Sequence, residues 1–356
     1  MAGIAIRPRP GVNRLTARAG RPWLRAMRVA VFGCGAFGRV HLAALAALGA
    51  DACGVEPNPA MHPPGLRILS PEAALHWCDA AIVVTPVQSH LAVSSAVLAA
   101  GRALFLEKPA TETATEARAL VDLAEARGVI AQVGLYFRFH PKARALAALV
   151  QDGSLGRVHY AAARFSGLKR ARADSGALLN DAVHFADLLP WLLGEAPRAV
   201  FAALADPLGR GREDLAVLHL RFPSGAIGLI EAGCVLPGHW PDAVVPGAET
   251  RKEIILAGSD GMAEVDFAAE SFRVRRGRHH PDAAGAWWPD HAPAEDPGAA
   301  AATPHEVVTA ELSTFLDAVR QGRPLGPGLR EGALAPALLL DAARRSAQEG
   351  RMVEVE

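Results

Sequence analysis

Cysteine is scarce in this sequence and shows no pairing pattern. The four residues Cys34, Cys53, Cys78 and Cys234 form no CxxC pair and have no metal-ligand spacing with histidine. That argues against a disulfide framework and against a zinc site, so no metal is expected. Each cysteine reads instead as a small buried apolar residue of a protein in a reducing compartment. An excess of either charge is missing too: 37 basic residues meet 37 acidic ones, so no overall field favours nucleic acid or an anionic membrane. No apolar run reaches the length of a membrane span, and the chain opens without the apolar h-region of a secretory signal. These absences leave a cytoplasmic protein whose partner is a small molecule.

What is present is enough apolar sequence, 51% of 356 residues, to bury a substantial core in about two domains. Residues 1–26 stand apart: they carry Arg7, Arg9, Arg14, Arg18, Arg21 and Arg25 and no acid. They read as a disordered extension without function, because Met27 stands directly before the first strand.

The rest is organised around Met27 to Val40, MRVAVFGCGAFGRV. A short apolar run ends at Gly33, glycines recur at Gly35 and Gly38, and a helical pattern follows at once. Strand, glycine turn and helix in that order form the context that gives G-x-G-x-x-G meaning. Gly33 permits the sharp turn out of the strand, Gly35 lets backbone N–H groups at Ala36 and Phe37 approach a pyrophosphate, and Gly38 lets helix and strand pack closely. The helix N-terminus adds unpaired N–H groups and partial positive charge. A second strand, Ala52 to Glu56, places an acid eighteen residues beyond Gly38. An acid there accepts from ribose hydroxyls and repels a 2′-phosphate, which favours NAD over NADP; the same Glu56 would also serve as the first residue of a surface turn.

Further strands are expected at Ala80–Val84, Ala103–Leu106 and Val129–Gly134, alternating with helices. This gives a doubly wound parallel sheet to about residue 135. Ligands of such sheets sit beyond the carboxyl ends of the strands, which puts Thr85, Pro86, His90, Glu107 and Lys108 beside the cofactor. Beyond a helix at Pro141–Val150 the pattern turns to strands with one wetted face: Val158–Phe165, Ala216–Phe222, Ala226–Ala232, Lys252–Leu256 and Met262–Phe267. Residues 236–250 and 277–304 read as loops. Helical patterns at His305–Gln321 and Gly332–Glu349 close the chain.

Two groups of residues carry chemistry. Glu107-Lys108-Pro109 ends a strand over the crevice, where desolvation lowers a lysine's pKa and makes proton exchange with a hydroxyl feasible; a cis bond before Pro109 is compatible with such a turn. The second is Leu178 to Leu189, read as the start of a helix. There Asn180 or Asp181 shares a face with His184, fixing its tautomer and steadying its charge, and Asp187 lies one turn on. Each group has a plainer reading, as a strand-ending surface lysine and as a histidine satisfied within the core. Arg138, Lys169, Arg170, Arg172, His239 and Trp240 lie near segments expected to face the cleft and are candidates for substrate contacts.

Taken together, Val31–Gly38, Thr85-Pro86 with His90, Glu107–Pro109, Arg138-Phe-His-Pro141, the His184 helix, the Gly258–Gly261 turn and the Leu312…Phe315-Leu316 helix resemble the Gfo/Idh/MocA oxidoreductase family. The resemblance runs from Met27 to the C-terminus. It implies an NAD(P)-binding Rossmann domain, here 27–146, and a C-terminal α/β domain, 147–356, with a large, open, mainly antiparallel sheet that commonly pairs subunits into a homodimer or homotetramer. It further implies oxidation of a secondary alcohol on a sugar, cyclitol or related polyol, with Lys108 and His184 matching the family's catalytic lysine and histidine. The family often carries an Asp four residues before this histidine, where this chain has Asn180, so either Asp181 stands in for it or His184 and Lys108 act without it. Two other readings stay open: a redox-neutral sugar-processing enzyme that uses NAD transiently, and a non-catalytic sensor on the same scaffold.

Overall fold

The computed structural model describes residues 26–242 and 246–356. The basic extension expected over residues 1–26 lies, except for Ala26, outside them.

The first half builds a parallel sheet from β1 (Arg28–Phe32), β2 (Asp51–Val55), β3 (Ala80–Val83), β4 (Ala103–Glu107) and β5 (Ala131–Gly134), ordered β2-β1-β3-β4-β5. Central strands buried on both faces must be apolar throughout, and β3 is the clearest case, with all four residues buried. Helices α1 (Ala36–Ala47), α2 (Pro71–Trp77), α3 (His90–Ala99) and α4 (Ala114–Arg127) connect them. Thr113 caps α4 by accepting from the Glu116 N–H, and Gly128 ends it in a left-handed conformation, a stop that glycine accommodates without a Cβ clash.

Helices α5 (Tyr136–Phe139) and α6 (Pro141–Gln151) lead to the second layer, followed by β6 (Val158–Ser166), the helix α7 (Val183–Leu193), β7 (Ala199–Ala205), β8 (Leu215–Arg221) and β9 (Ile227–Gly233). Then come β10 (Trp240–Pro241), β11 (Glu249–Gly258), β12 (Gly261–Asp266), β13 (Ser271–Pro281) and β14 (Trp287–His291). The chain closes with α8 (Pro304–Gln321), α9 (Ala335–Glu349) and β15 (Val353–Glu354). The second sheet is ordered β14-β13-β12-β11-β6-β9-β8-β7-β15, with β10 added at β11. Only β6 and β9 pair in parallel among these strands; the remaining pairs are antiparallel. One face packs on α7 and α9 through Val200, Leu218, Ile230, Ile254 and Val265. The other face is open and shows Phe201, Val217, Ile227 and Met262 to solvent.

Three expectations need correction. Residues 236–250 and 277–304 are not all loop, since β10 pairs with the start of β11 at Glu249 and Thr250, and β13 runs to Pro281 and pairs with β14. The strand β7 was not foreseen. The helix expected from Leu178 begins as a π-turn over Leu178–Ala182, with α7 following from Val183; a π-turn is wider than an α-turn and changes which side chains share a face.

The last helices return to the first sheet. Val308, Leu312, Phe315 and Leu316 of α8 pack with Val29, Val31, Ile82 and Phe105 in a single cluster, and the Phe105 and Phe315 rings meet edge to face at 5.5 Å. Residues 304–334 therefore complete the core of the parallel sheet although they lie far along the chain.

Candidate functional site

The fingerprint turn has the form a pyrophosphate requires. Gly33 has φ +98°, and a Cβ there would sit 2.8 Å from the Val84 carbonyl oxygen, so the turn lies against the end of β3. A Cβ on Gly38 would meet the Gly33 carbonyl oxygen at 2.1 Å. At Gly35, by contrast, the nearest atom is the movable Met61 Cε at 3.6 Å, so the backbone stands open on that side. No side chain caps α1 and no acid occupies its first turn, which leaves its N–H groups facing outward to bind an anion. The end of β2 adds Glu56, whose carboxylate accepts from the Cys34 and Asn58 N–H groups at 3.0 Å each. These residues fit a dinucleotide. Gly38→Ala is accordingly expected to cost about 1–3 kcal/mol through overpacking and to weaken NAD binding, measurable as a lower thermal midpoint with a smaller NAD-induced rise.

Two residues expected beside the cofactor are committed elsewhere. The buried imidazole of His90 lies between carbonyl oxygens, Nε2 at 2.8 Å from Thr85 and Nδ1 at 2.9 Å from Pro109, and burial lowers its pKa. It braces the ends of β3 and β4 against each other. Glu107 turns its carboxylate back behind the sheet, where Oε1 lies 2.8 Å from His41 Nε2 and Oε2 accepts the Lys108 N–H at 3.1 Å. Both follow from packing: a strand-end side chain on the helix-facing side meets the helix before it meets the crevice. Thr85 accepts a hydrogen bond from the Ser89 hydroxyl at 2.7 Å.

A cis peptide bond joins Lys108 to Pro109, and the Lys108 side chain crosses the crevice to the second layer. Its Nζ donates to the Asn180 carbonyl oxygen at 3.1 Å, so the lysine of the first sheet reaches the turn that leads into the His184 helix. Burial pushes its pKa down to about 8, with Asp181 and Glu107 opposing. His184 is buried between aromatic rings, 5.2 Å from the Phe137 centroid and 5.1 Å from that of Phe165. Burial holds it well below the usual imidazole range, reinforced by the positive charges of Lys108, Lys252 and Lys169. The imidazole is thus neutral near pH 7.

Asp181 does not steady His184 in the way expected from helical spacing. Its Oδ1 accepts from Lys169 Nζ at 2.5 Å and from Asn180 Nδ2 at 2.8 Å, because the π-turn shifts the phase of these side chains relative to α7. Lys169 also stands over the Phe165 ring at 4.3 Å. Lys252, which the sequence reading missed, lies 5.1 Å from the same ring and pairs with Asp242 at 2.7 Å. The signal for Lys252 is pairing of β11 with β6, which sets it opposite Phe165; nothing local in the sequence marks it.

Arg138 was expected to face the substrate and instead lies in the interior. Its guanidinium grips both Asp187 oxygens, at 2.8 and 2.5 Å, and also bonds Glu331. A forked donor set of this kind is satisfied by carboxylates wherever two converge. Trp240 is half exposed, donating to Asp266 at 3.0 Å, and Arg172 is held by Asp174 at 2.6 and 2.8 Å. Among the described residues no group of His, Cys, Asp and Glu could hold a metal ion, and no helix is long and apolar enough to cross a membrane.

Comparison with known proteins agrees with this fold. Residues 66–135 match the family described as an oxidoreductase family with an NAD-binding Rossmann fold, and residues 143–264 match the GFO/IDH/MocA C-terminal domain. The chain is 28% identical to UDP-N-acetylglucosamine 3-dehydrogenase of Acidithiobacillus ferrooxidans, over 84% of this chain and 90% of that protein. It is 26% identical to levoglucosan dehydrogenase of Pseudarthrobacter phenanthrenivorans, over 81% and 82% respectively. Among solved structures, GenD2 from gentamicin A biosynthesis in complex with NAD superposes with a TM-score of 0.78 at 26% identity, covering 96% of this chain and 99% of that one. With a fingerprint turn formed for a dinucleotide and both domain matches in place, the chain belongs to the Gfo/Idh/MocA family of NAD-binding oxidoreductases.

Proposed function

We propose that the protein oxidises a secondary alcohol of a sugar, cyclitol or related polyol, or reduces the matching ketone, with Lys108 and His184 handling the proton. The carrying observation is the reach of Lys108 from the end of β4 to the Asn180 carbonyl at 3.1 Å, four residues before His184. NAD, when bound, supplies the hydride chemistry, and the chain supplies placement and charge. Lys108 and His184 hydrogen-bond the reacting oxygen. The lysine, with its pKa near 8, takes the hydroxyl proton in oxidation and returns it in reduction. Neutral His184 orients that oxygen, and the Phe137 and Phe165 rings keep water from it. Asp181, held by Lys169, keeps a negative charge near Lys108 and so moderates the drop in its pKa. Glu56, Gly35, Ala36 and Phe37 hold the dinucleotide, and the acid favours NAD over NADP.

The pH dependence follows with a definite sign. Oxidation needs the neutral amine of Lys108, so its rate is expected to rise as pH passes upward through about 8. Reduction needs the ammonium form and is expected to fall over the same interval. Opposite limbs in the two directions, read from kcat/KM profiles, check the assignment; limbs of the same sign would contradict it.

The reading is tested by a panel of polyols, sugars and keto-sugars followed at the nicotinamide absorbance with NAD and with NADP. Net cofactor reduction on a polyol supports it. Substrate turnover without net NADH favours a redox-neutral enzyme, and NAD binding with no turnover favours a sensor. The exposed Phe201, Val217, Ile227 and Met262 on the open face of the second sheet support a homodimer or homotetramer built on that face. The four cysteines, all free and buried, support a cytoplasmic setting.

A further inference from the structure

We propose that Glu107 and His41 are positioning residues for Lys108, forming a buried brace through which the fingerprint helix fixes the lysine's backbone and the charge behind it. This rests on the reading of Lys108 as the proton-handling group. His41 lies on α1, eight residues after Gly33, and is fully buried. Its ring is edge-on to Phe37 at 5.2 Å and to Phe105 at 5.5 Å, and its Nε2 meets Glu107 Oε1 at 2.8 Å.

The other Glu107 oxygen accepts the Lys108 N–H, so the carboxylate is shared between the helix that begins at the pyrophosphate turn and the residue that crosses the crevice. Space for it is provided by Gly134, where a Cβ would stand 2.8 Å from Glu107 Oε1. A buried acid is retained only when paired and hydrogen-bonded, and an acid needed only for packing would be replaceable by an apolar side chain. Here both oxygens are used, and one of them is aimed at the backbone of Lys108. The charged groups acting on Lys108 are Asp181 and Glu107, which favour its ammonium form, and Arg172 and Lys169, which oppose it.

Trace acetylation of the full-length protein across a pH series, with Lys108 followed by peptide mass spectrometry, reads the lysine's titration without any substrate. Glu107→Gln removes the negative charge and is expected to move the Lys108 midpoint to lower pH by roughly half a unit to one unit. His41→Phe keeps the ring packing and removes the donor; it is expected to shift the midpoint in the same direction, because the carboxylate loses the partner that holds it against the Lys108 N–H. His41→Gln keeps a donor and is expected to restore the wild-type midpoint. Should Glu107→Gln fail to fold, the two His41 variants decide the matter. An unchanged midpoint in the variants that melt cooperatively overturns the proposal. Shifted midpoints in a protein that turns over no polyol support the brace and overturn the dehydrogenase reading instead.

Discussion

Replacing Lys108 by methionine is expected to leave NAD binding largely intact and to lower kcat by about 10²–10⁴-fold, the range typical of a lost general acid or base. Methionine fills a similar unbranched volume, so the crevice keeps its shape while losing the amine that reaches across it from the end of β4 to the Asn180 carbonyl. Arginine should not rescue, although it carries the same charge. Its guanidinium stays protonated at any pH the fold tolerates, whereas the amine of Lys108 sits near 8 and can exist in both forms. Burial produces that value, and the same burial keeps His184 neutral, so on the proposed mechanism the lysine is the member of the pair expected to change charge during turnover. Steady-state kinetics with NAD affinity measured by calorimetry separates the effects. Turnover retained in Lys108→Met would remove the lysine from the mechanism.

The largest effect on stability is expected from Arg138→Met, about 3–5 kcal/mol, the cost of leaving a buried charge without its partner. Arg138 on α5 joins Asp187 on α7 to Glu331 in the turn before α9, so one guanidinium ties three segments together. Asp187 is buried, and burial pushes its pKa up to about 6 against the pull of Arg138. A folded-state value above the unfolded one means that the native state binds more protons than the unfolded chain between about pH 4 and 6. This group therefore contributes stability as pH falls through that window and loses it as pH rises. Without the arginine the carboxyl rises further, and the deficit of the variant is expected to be smallest in acid and largest above neutrality. Adding Asp187→Leu should recover much of the loss, since removing both partners of a buried pair is far cheaper than removing one. Urea unfolding of the single and double variants at two pH values provides the check; a double variant no more stable than the single one would contradict the argument.

The parallel sheet was legible because buried central strands are continuous apolar runs, as Ala80–Val83 shows, and because the glycines of the first turn have tasks that no other residue performs. Lys108 and His184 were legible as types in suggestive places. Their neighbours were less so. Asp187 meets Arg138 from 49 residues away, and His41 meets Glu107 from 66 residues away; side chains read only from their own segment were assigned to the crevice when their partners lay behind it. Spacing around His184 misled in a different way, since a π-turn at Leu178–Ala182 breaks the 3.6-residue rule on which face assignments rest. The strand β14 was hidden because all five of its residues are exposed, so no buried alternation marks it. Lys252 needed the register of a sheet whose strands come from distant parts of the chain.

The return of α8 to the first sheet bears on any attempt to transplant either half. A chimaera that joined residues 27–146 to a foreign partner would leave Val29, Val31, Ile82 and Phe105 facing water where Val308, Leu312, Phe315 and Leu316 now cover them. Exposed apolar strips of that kind drive aggregation, and an isolated first half would behave as an insoluble fragment. A graft designed to carry the nucleotide site must therefore bring residues 304–334 with it as a second, separately spliced piece.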